Sequence, residues 1–308
     1  MTTQGPDVRS YDFNPVTRCN MCGAEEEAFR VVGRRMSTSQ GLFPKRKRGI
    51  ALTVLRCGRC GLLFPDPFPT PRALEDHYDV TPEAYWRDEY FRVAEDYFSA
   101  QIATARQLLG KGEGTRALDV GAGIGKGMVA LERAGFEAHG LEPSPAFRDF
   151  GLRELDISPD RLQLSSLEKA DYPPASFHFI NFAAVLEHLP DPSGAIEKAL
   201  AWLAPGGIFH VEVPSARWLL SRGLRIFYRL TGTDYVTNLS PMHVPFHLYE
   251  FTEASFRIHA EARGYRLARV DRYVGEVYAP AVARPILRSV MRLSGTGMQL
   301  AVWGRKPE

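Results

Sequence analysis

The sequence predicts an α/β fold built on a doubly wound, seven-stranded, mostly parallel sheet, preceded by a small zinc-ribbon-like domain. Short apolar runs alternate with helical stretches from about residue 117 onward, and a glycine loop follows the first of these runs. Ahead of that loop, the four cysteines fall as two C-x-x-C pairs. We therefore predict a zinc-binding domain at 1–72 and an α/β domain at 73–308.

Composition sets the broad class. The chain has 308 residues, and its 38 Lys and Arg nearly balance its 36 Asp and Glu, so the formal charge of +2 gives no overall field for nucleic acid or an anionic membrane. The first residues lack the pattern of a signal peptide, and no apolar run reaches the ~18 residues of a membrane span. We expect a cytoplasmic protein without a membrane partner. In that reducing compartment paired cysteines are metal ligands rather than disulfides.

The cysteine pairs predict one structural zinc ion. Two C-x-x-C turns place four thiolates tetrahedrally around Zn²⁺, which leaves no open position for catalysis. A glycine follows each pair, Gly23 and Gly61, and lets the backbone turn tightly behind the metal. The 34 residues between the pairs predict an inserted hairpin or loop. The predicted zinc ligands are Cys19, Cys22, Cys57 and Cys60.

Four further segments have their own patterns. The basic run 45–48 is either a solvated loop or an electrostatic grip on a phosphate-bearing substrate. Four prolines within 64–71 predict a linker. Aromatic and apolar residues at helical spacing from about residue 82 predict one long helix that ends at Gly110 or Gly112, and the aromatic, basic stretch 214–250 predicts a helical insertion or lid.

The alternating region predicts each element in order. Ser144 followed by Pro145 is a strong helix start, and Pro205-Gly206-Gly207 stops a helix. The predicted strands are 117–120, 136–141, 162–164, 177–182, 208–213, 267–273 and 298–303, and the predicted helices are 126–134, 145–155, 192–203 and 252–262.

The glycine loop and two acidic residues predict a nucleoside-type cofactor. Asp119 ends a strand immediately before the loop, and Glu142 closes the next strand. The carboxylate of Asp119 would repel a pyrophosphate but can accept hydrogen bonds from an amino group. The carboxylate of Glu142 can accept hydrogen bonds from both hydroxyls of a ribose. A dinucleotide fingerprint would also require glycine at position 126, where the chain has Lys126.

The resemblance to a known family rests on the glycine loop, the two acidic residues, and the segments Val185–Leu189 and Leu203–Gly207. The chain resembles the class I S-adenosylmethionine-dependent methyltransferases, which have a Rossmann-like fold. Together with the cysteine pairs and the segment His247–Thr252, it resembles the bacterial methyltransferases with an N-terminal zinc-binding domain, many of which act on sugars or natural products. The resemblance implies cofactor contacts along the loop and at the ends of the first four strands. The implied residues are Asp119, Gly121, Ala122, Gly123, Gly125, Glu142, Pro143, Ser166, Leu167, Phe182 and Ala183. Tyr85 and Tyr90 either cap the methionyl end or pack in the core.

Three residues are candidates for catalysis. His188 follows the fourth strand at the carboxyl edge of the sheet, and a neutral imidazole there can remove a proton from an acceptor hydroxyl while Glu187 orients it. The alternative is a helix-initiating turn with exposed polar groups. His247 matches the family's His-Leu-x-x-Phe-Thr segment and is either a substrate-site residue or a structural tether; His243 is a weaker candidate. Ala184 replaces an acidic metal ligand of quinone-type relatives, so no catalytic magnesium is expected.

These observations predict methyl transfer from S-adenosylmethionine to a small acceptor, first a hydroxyl of a sugar, nucleotide-sugar or glycosylated natural product. An RNA base methyltransferase that uses the zinc module and the basic run is one alternative, which the near-neutral charge does not favour. Sugar C-methylation is another. The last alternative is a non-catalytic zinc-dependent interaction protein. The chain departs from the family pattern in the fourth strand: the family usually has an aspartate after a phenylalanine there, and this chain has His178.

Overall fold

A computed structural model describes residues 11–39, 49–72, 91–110, 114–275, 277 and 279–308. Its main sheet has seven strands: β6 (Arg116–Val120), β7 (Glu137–Glu142), β8 (Leu162–Leu164), β9 (Phe177–Ala183), β10 (Leu203–Pro214), β11 (Arg266–Tyr273) and β12 (Gln299–Arg305). Their order in the sheet is β11-β12-β10-β9-β6-β7-β8, and all neighbouring pairs are parallel except those that β12 makes with β10 and β11. The predicted doubly wound, seven-stranded sheet is confirmed.

Helices connect these strands, and their ends follow the predicted signals. Ser144 caps the third helix by accepting from the backbone N–H of Phe147, and Asp191 caps the fourth. The helices are α1 (Ser99–Leu109), α2 (Lys126–Arg133), α3 (Pro145–Glu154), α4 (Pro192–Trp202), α5 (Leu219–Leu230), α6 (Glu253–Arg263) and α7 (Arg284–Ser294). No prediction covered α7.

The helix before the first main-sheet strand is shorter than predicted. It begins at Ser99, because Phe98 takes a left-handed backbone conformation (φ 63°) and residues 91–98 form turns. It ends at Gly110, also left-handed, as predicted. The part of the prediction over 82–90 lies outside the described residues.

The N-terminal part forms two small antiparallel sheets. The insert between the cysteine pairs is a hairpin, as predicted, of β2 (Phe29–Met36) and β3 (Ala51–Cys57), which β4 (Leu63–Asp66) extends. A second sheet pairs β1 (Tyr11–Asn14) with β5 (Phe68–Pro71). The linker predicted at 64–71 is wrong: these residues form β4 and β5, and Phe64 is fully buried. Proline fits because each strand lies at the edge of its small sheet.

The predicted lid at 214–250 contains α5 followed by irregular chain, so its helical character is confirmed in part. One buried cluster joins the small sheets to the main domain, since Cys57 and Phe64 pack in the same core as Phe182 and Phe251. Within the described residues, no helix has the length and apolar content needed to span a bilayer.

Candidate active site and zinc site

The four predicted zinc ligands converge. Sγ of Cys19 lies 3.5 Å from Sγ of Cys60, Sγ of Cys22 lies 3.5 Å from Sγ of Cys57, and all four atoms lie within 4.8 Å of one another. These separations exceed a disulfide bond and are close to the ~3.8 Å edge of a tetrahedron of sulfur atoms ~2.3 Å from a zinc ion. Gly23 (φ 69°) and Gly61 (φ 80°) take the left-handed turns predicted behind the metal. The donor set fits zinc.

The cysteine site is connected to the helices of the main domain. The backbone carbonyl of Cys60 accepts from the hydroxyl of Thr252 at 2.5 Å, and Thr252 is the N-cap of α6. Asn20, inside the first cysteine turn, donates to Asp191 at 2.8 Å and accepts from the N–H of Ser193 at 2.8 Å, at the start of α4. The cysteine cluster is therefore hydrogen-bonded to the starts of two helices that follow candidate catalytic segments.

The glycine loop turns through left-handed conformations at Gly121 (φ 66°), Gly123 (φ 58°) and Gly125 (φ 85°). A Cβ on Gly121 would lie 2.7 Å from Cγ2 of Val185. Glycine is thus needed here for backbone conformation and for contact with the segment that carries the catalytic candidates. The glycine loop and Val185 are therefore in direct contact.

Asp119 sits at the carboxyl end of β6 and is almost entirely buried. Its Oδ1 accepts from the amide of Asn181 at 2.6 Å, and Oδ1 of Asn181 lies 2.8 Å from Nδ1 of His210. Burial raises the pKa of Asp119 to about 6, while the hydrogen bond from Asn181 lowers it. Sequence reasoning missed Asn181 and His210. Their signal is a polar residue within an otherwise apolar strand.

Glu142 occupies the equivalent position on the neighbouring strand β7. Its two carboxylate oxygens accept from the backbone N–H groups of Gly123 at 2.8 Å and Ser144 at 2.9 Å. Burial raises its pKa to about 7, and both hydrogen bonds oppose that shift. Each oxygen keeps a second lone pair for a ligand hydroxyl. Glu142 therefore braces the glycine loop and still suits a ribose.

The other predicted cofactor residues differ in exposure. Ala122, Pro143, Ser166 and Ala183 are half-buried near strand ends, where a ligand can reach them. Leu167 and Phe182 are buried in the apolar core, so their side chains support the site from behind. Tyr90 and Tyr85 lie outside the described residues. Tyr97 lies near this site instead: the Nζ of Lys126 is 4.5 Å from its ring centroid, and burial, together with the charge of Asp119, raises the pKa of Tyr97.

The catalytic candidates form one cluster. The backbone of Glu187 and His188 belongs to a short 3-10 helix after β9, and the ring of His188 lies 5.1 Å from that of His247. Oε1 of Glu187 is 3.9 Å from Nε2 of His188 and 4.0 Å from Nε2 of His247. The N–H of Leu248 donates to the Glu187 carbonyl at 2.8 Å, which holds the 214–250 segment against this turn. The predicted alternative, an exposed turn, does not hold for Glu187, which is 2 % exposed.

Hydrogen bonding sets the state of these groups. Nδ1 of His188 lies 3.3 Å from the carbonyl of Phe246, which only accepts, so that nitrogen carries the proton and Nε2 is left to accept one. Burial lowers the pKa of His188 to about 4 and that of His247 to about 3, and raises that of Glu187 to about 8. Among the described residues, Oε2 of Glu187 and Nδ1 of His247 have no partner.

Two departures from the resemblance are visible. Ala184 has a left-handed backbone (φ 55°) at the end of β9, and its N–H donates to the Glu212 carbonyl at 2.9 Å. His178, at the other end of β9, accepts from the N–H of Arg116 at 3.3 Å, far along the strand from the site. The three ligand atoms of Glu187, His188 and His247 lie within 4.8 Å of one another, and the absence of a catalytic magnesium stays a prediction.

Comparison with known proteins identifies the family to which the chain belongs. A family model described as a methyltransferase domain matches residues 91–270, more than half of the chain. Relatives named ubiquinone biosynthesis O-methyltransferase include those of Alkalilimnicola ehrlichii (27% identical over 56% of this chain and 71% of the relative) and Methylococcus capsulatus (28% over 42% and 53%). The chain thus spans only about half of the latter.

Solved structures with similar backbones include an S-adenosylmethionine-dependent methyltransferase from Mesorhizobium loti (17% identical, TM-score 0.48, covering 69% of this chain and 98% of that one). The YcgJ protein of a Bacillus species has the same sequence identity and TM-score. That match covers 70% of this chain and 100% of the YcgJ chain.

Proposed function

Because this chain belongs to the methyltransferase-domain family, we propose that it transfers a methyl group from S-adenosylmethionine to a hydroxyl oxygen of a small molecule, first a sugar or glycosylated natural product. Zinc has a structural role in this proposal. The observation that carries it is the approach of Nε2 of His188 to within 3.9 Å of the buried carboxyl of Glu187, in a segment whose Val185 contacts the glycine loop.

The cofactor proposal rests on the two strand-end carboxylates. Asp119 is positioned to accept from an amino group and Glu142 from ribose hydroxyls, while the loop between them brings the backbone close to the ligand. S-adenosylmethionine, when bound, supplies an electrophilic methyl on a sulfonium sulfur. Ser166, half-buried beyond the end of β8, flanks the adenine in this proposal, while Ala183, half-buried at the end of β9, lines the pocket, with two strands between β8 and β9.

His188 is the proposed general base. Its Nδ1–H donates to Phe246, and this bond keeps the imidazole oriented with Nε2 toward Glu187. The 3.9 Å gap between Nε2 and Oε1 of Glu187 is too long for a hydrogen bond, so an acceptor hydroxyl can bond to both groups. The hydroxyl proton passes to Nε2, and Glu187, whose buried carboxyl is largely protonated at neutral pH, donates to the same hydroxyl oxygen and holds it in position.

His247 is the second group that reaches Glu187, and we assign it to acceptor positioning. Its Nε2 lies 4.0 Å from Oε1 of Glu187, and its backbone N–H donates to Ser240 within the lid. The name of the curated relatives supports oxygen as the methylated atom. It also makes a phenolic precursor the second acceptor class.

Two measurements test this function. Purified zinc-loaded protein is incubated with S-adenosylmethionine and panels of sugar, glycoside and phenol acceptors, and S-adenosylhomocysteine release is followed. His188→Gln should lower turnover by about 10²-fold or more with an unchanged affinity for S-adenosylhomocysteine, whereas His139→Gln, a histidine of β7 away from the cluster, should match the wild type. Equal turnover in both variants would remove His188 from the mechanism.

A further inference from the structure

Two helices turn apolar side chains toward solvent. In α5, Ile226 and Leu230 are 61 % and 82 % exposed; in α7, Ile286 and Leu293 are 68 % and 90 % exposed. The spacing places each set on one helical face. Surface helices of globular proteins normally pack such a face against the core, but among the described residues only Ser221, Tyr228 and Met291 of these helices are buried.

The charge around these faces has one sign. Stretches 213–233 and 277–297, which contain the two helices, together have seven Arg and no Lys, Asp or Glu, although the whole chain has a net charge of only +2. Within the described part of the chain, the exposed Arg222, Arg288 and Arg292 form no ion pair. An apolar face flanked by arginines is the composition of a helix that lies in a membrane interface.

The two helices meet near the candidate active site. The N–H of Leu219, the first residue of α5, donates to Thr296 at 3.1 Å, and Thr296 follows the glycine that ends α7. Pro214, which ends β10, is the register partner of Gln299. This is the edge of the sheet at which Asp119 and Glu142 end their strands, because β10 runs parallel to that part of the sheet.

We infer that α5 and α7 dock the protein on an anionic phospholipid surface, with the apolar faces in the interface and the arginines against lipid phosphates. A second copy is a poorer occupant, because a two-fold contact through these faces would bring the arginine clusters of both copies together. The inference goes beyond the proposed function. It differs from the expectation of no membrane partner, which relied on net charge and on the lack of a membrane span and did not consider these clusters.

Vesicle flotation of the full-length, zinc-loaded protein tests the docking surface. Wild type should float with phosphatidylglycerol-containing vesicles, float less at high salt, and stay unbound with pure phosphatidylcholine. Arg288→Gln with Arg292→Gln should weaken binding about fivefold for each arginine removed. Ile286→Ser with Leu293→Ser should weaken it at least as much. Val31→Ser, an exposed apolar residue on β2, is the matched control and should bind like wild type.

Three outcomes would overturn the inference. They are no binding of wild type to anionic vesicles, equal loss in the Val31→Ser control, and a dimer in sedimentation velocity that the Ile286→Ser, Leu293→Ser variant converts to monomer. The last result would assign the faces to contact between copies. A thermal shift with S-adenosylhomocysteine, run on each variant, separates loss of docking from loss of the folded cofactor site.

Discussion

The affinity for S-adenosylhomocysteine should fall as the pH falls, because the buried carboxyl groups must be ionised to receive it. Burial raises the pKa of Asp119 to about 6 and that of Glu142 to about 7. Between about pH 7.5 and about pH 5.5 the ionised fraction of Asp119 falls about fourfold, and the fraction with both groups ionised falls about a hundredfold. The Kd should therefore rise by a factor between these limits.

Isothermal titration calorimetry across this pH range measures the effect, with two variants as controls. Asp119→Asn should bind weakly and lose the contribution of Asp119 to the pH dependence. Asp149→Asn, an exposed aspartate on α3, should reproduce the wild type. A wild-type Kd that stays constant or falls toward low pH would refute the assignment of Asp119 and Glu142 to the cofactor.

The stability of the free protein should show the opposite trend. A carboxyl group with a pKa raised in the folded state favours folding while it is protonated, and that contribution is lost as the pH rises through the folded pKa. Wild type should therefore lose stability relative to Asp119→Asn as the pH rises from about 4 to about 7, which urea denaturation of both proteins measures.

The remaining predictions concern the base, the zinc site and the glycine loop. His188→Gln should remove the pH-dependent rise of kcat that accompanies deprotonation of its imidazole, and a full pH profile of turnover that keeps this rise would contradict the role of His188. Chelation of zinc should lower the thermal midpoint and turnover together, because Thr252 and Asn20 connect the cysteine site to α6 and α4; metal analysis should give one zinc per chain, and full activity in metal-free protein would contradict this coupling. Gly121→Ala should lower the free energy of unfolding by about 1–2 kcal/mol and weaken S-adenosylhomocysteine binding, since it forces a Cβ into a left-handed turn against Val185. Gly223→Ala, at an open position in α5, should leave binding unchanged, and equal effects of the two substitutions in calorimetry and denaturation would disprove the local explanation.

The main sheet was predictable because its central strands are buried apolar runs, and such runs bounded by glycine and proline have few alternatives. The strand-end carboxylates Asp119 and Glu142 were predictable for the same reason, since parallel strands bring their carboxyl ends to one edge. The clustering of the four cysteines was equally predictable, because the C-x-x-C spacing of each pair is local in sequence.

Other features depend on contacts between residues distant in sequence. Prolines in 64–71 are as compatible with edge strands as with a linker, and only pairing with β3 and β1 decides between them. The bond between His188 and Phe246 spans 58 residues, and no local pattern announces it. Asn181 was missed because strand periodicity does not say which polar group on a neighbouring strand it meets.

The most direct test is a crystal structure of the protein with S-adenosylhomocysteine. The amino group of the ligand should contact Asp119, its ribose hydroxyls should contact Glu142, and its sulfur should face the cluster of Glu187, His188 and His247. A groove beside Gly123 that stays empty at saturating ligand, or that binds a dinucleotide instead, would contradict the account.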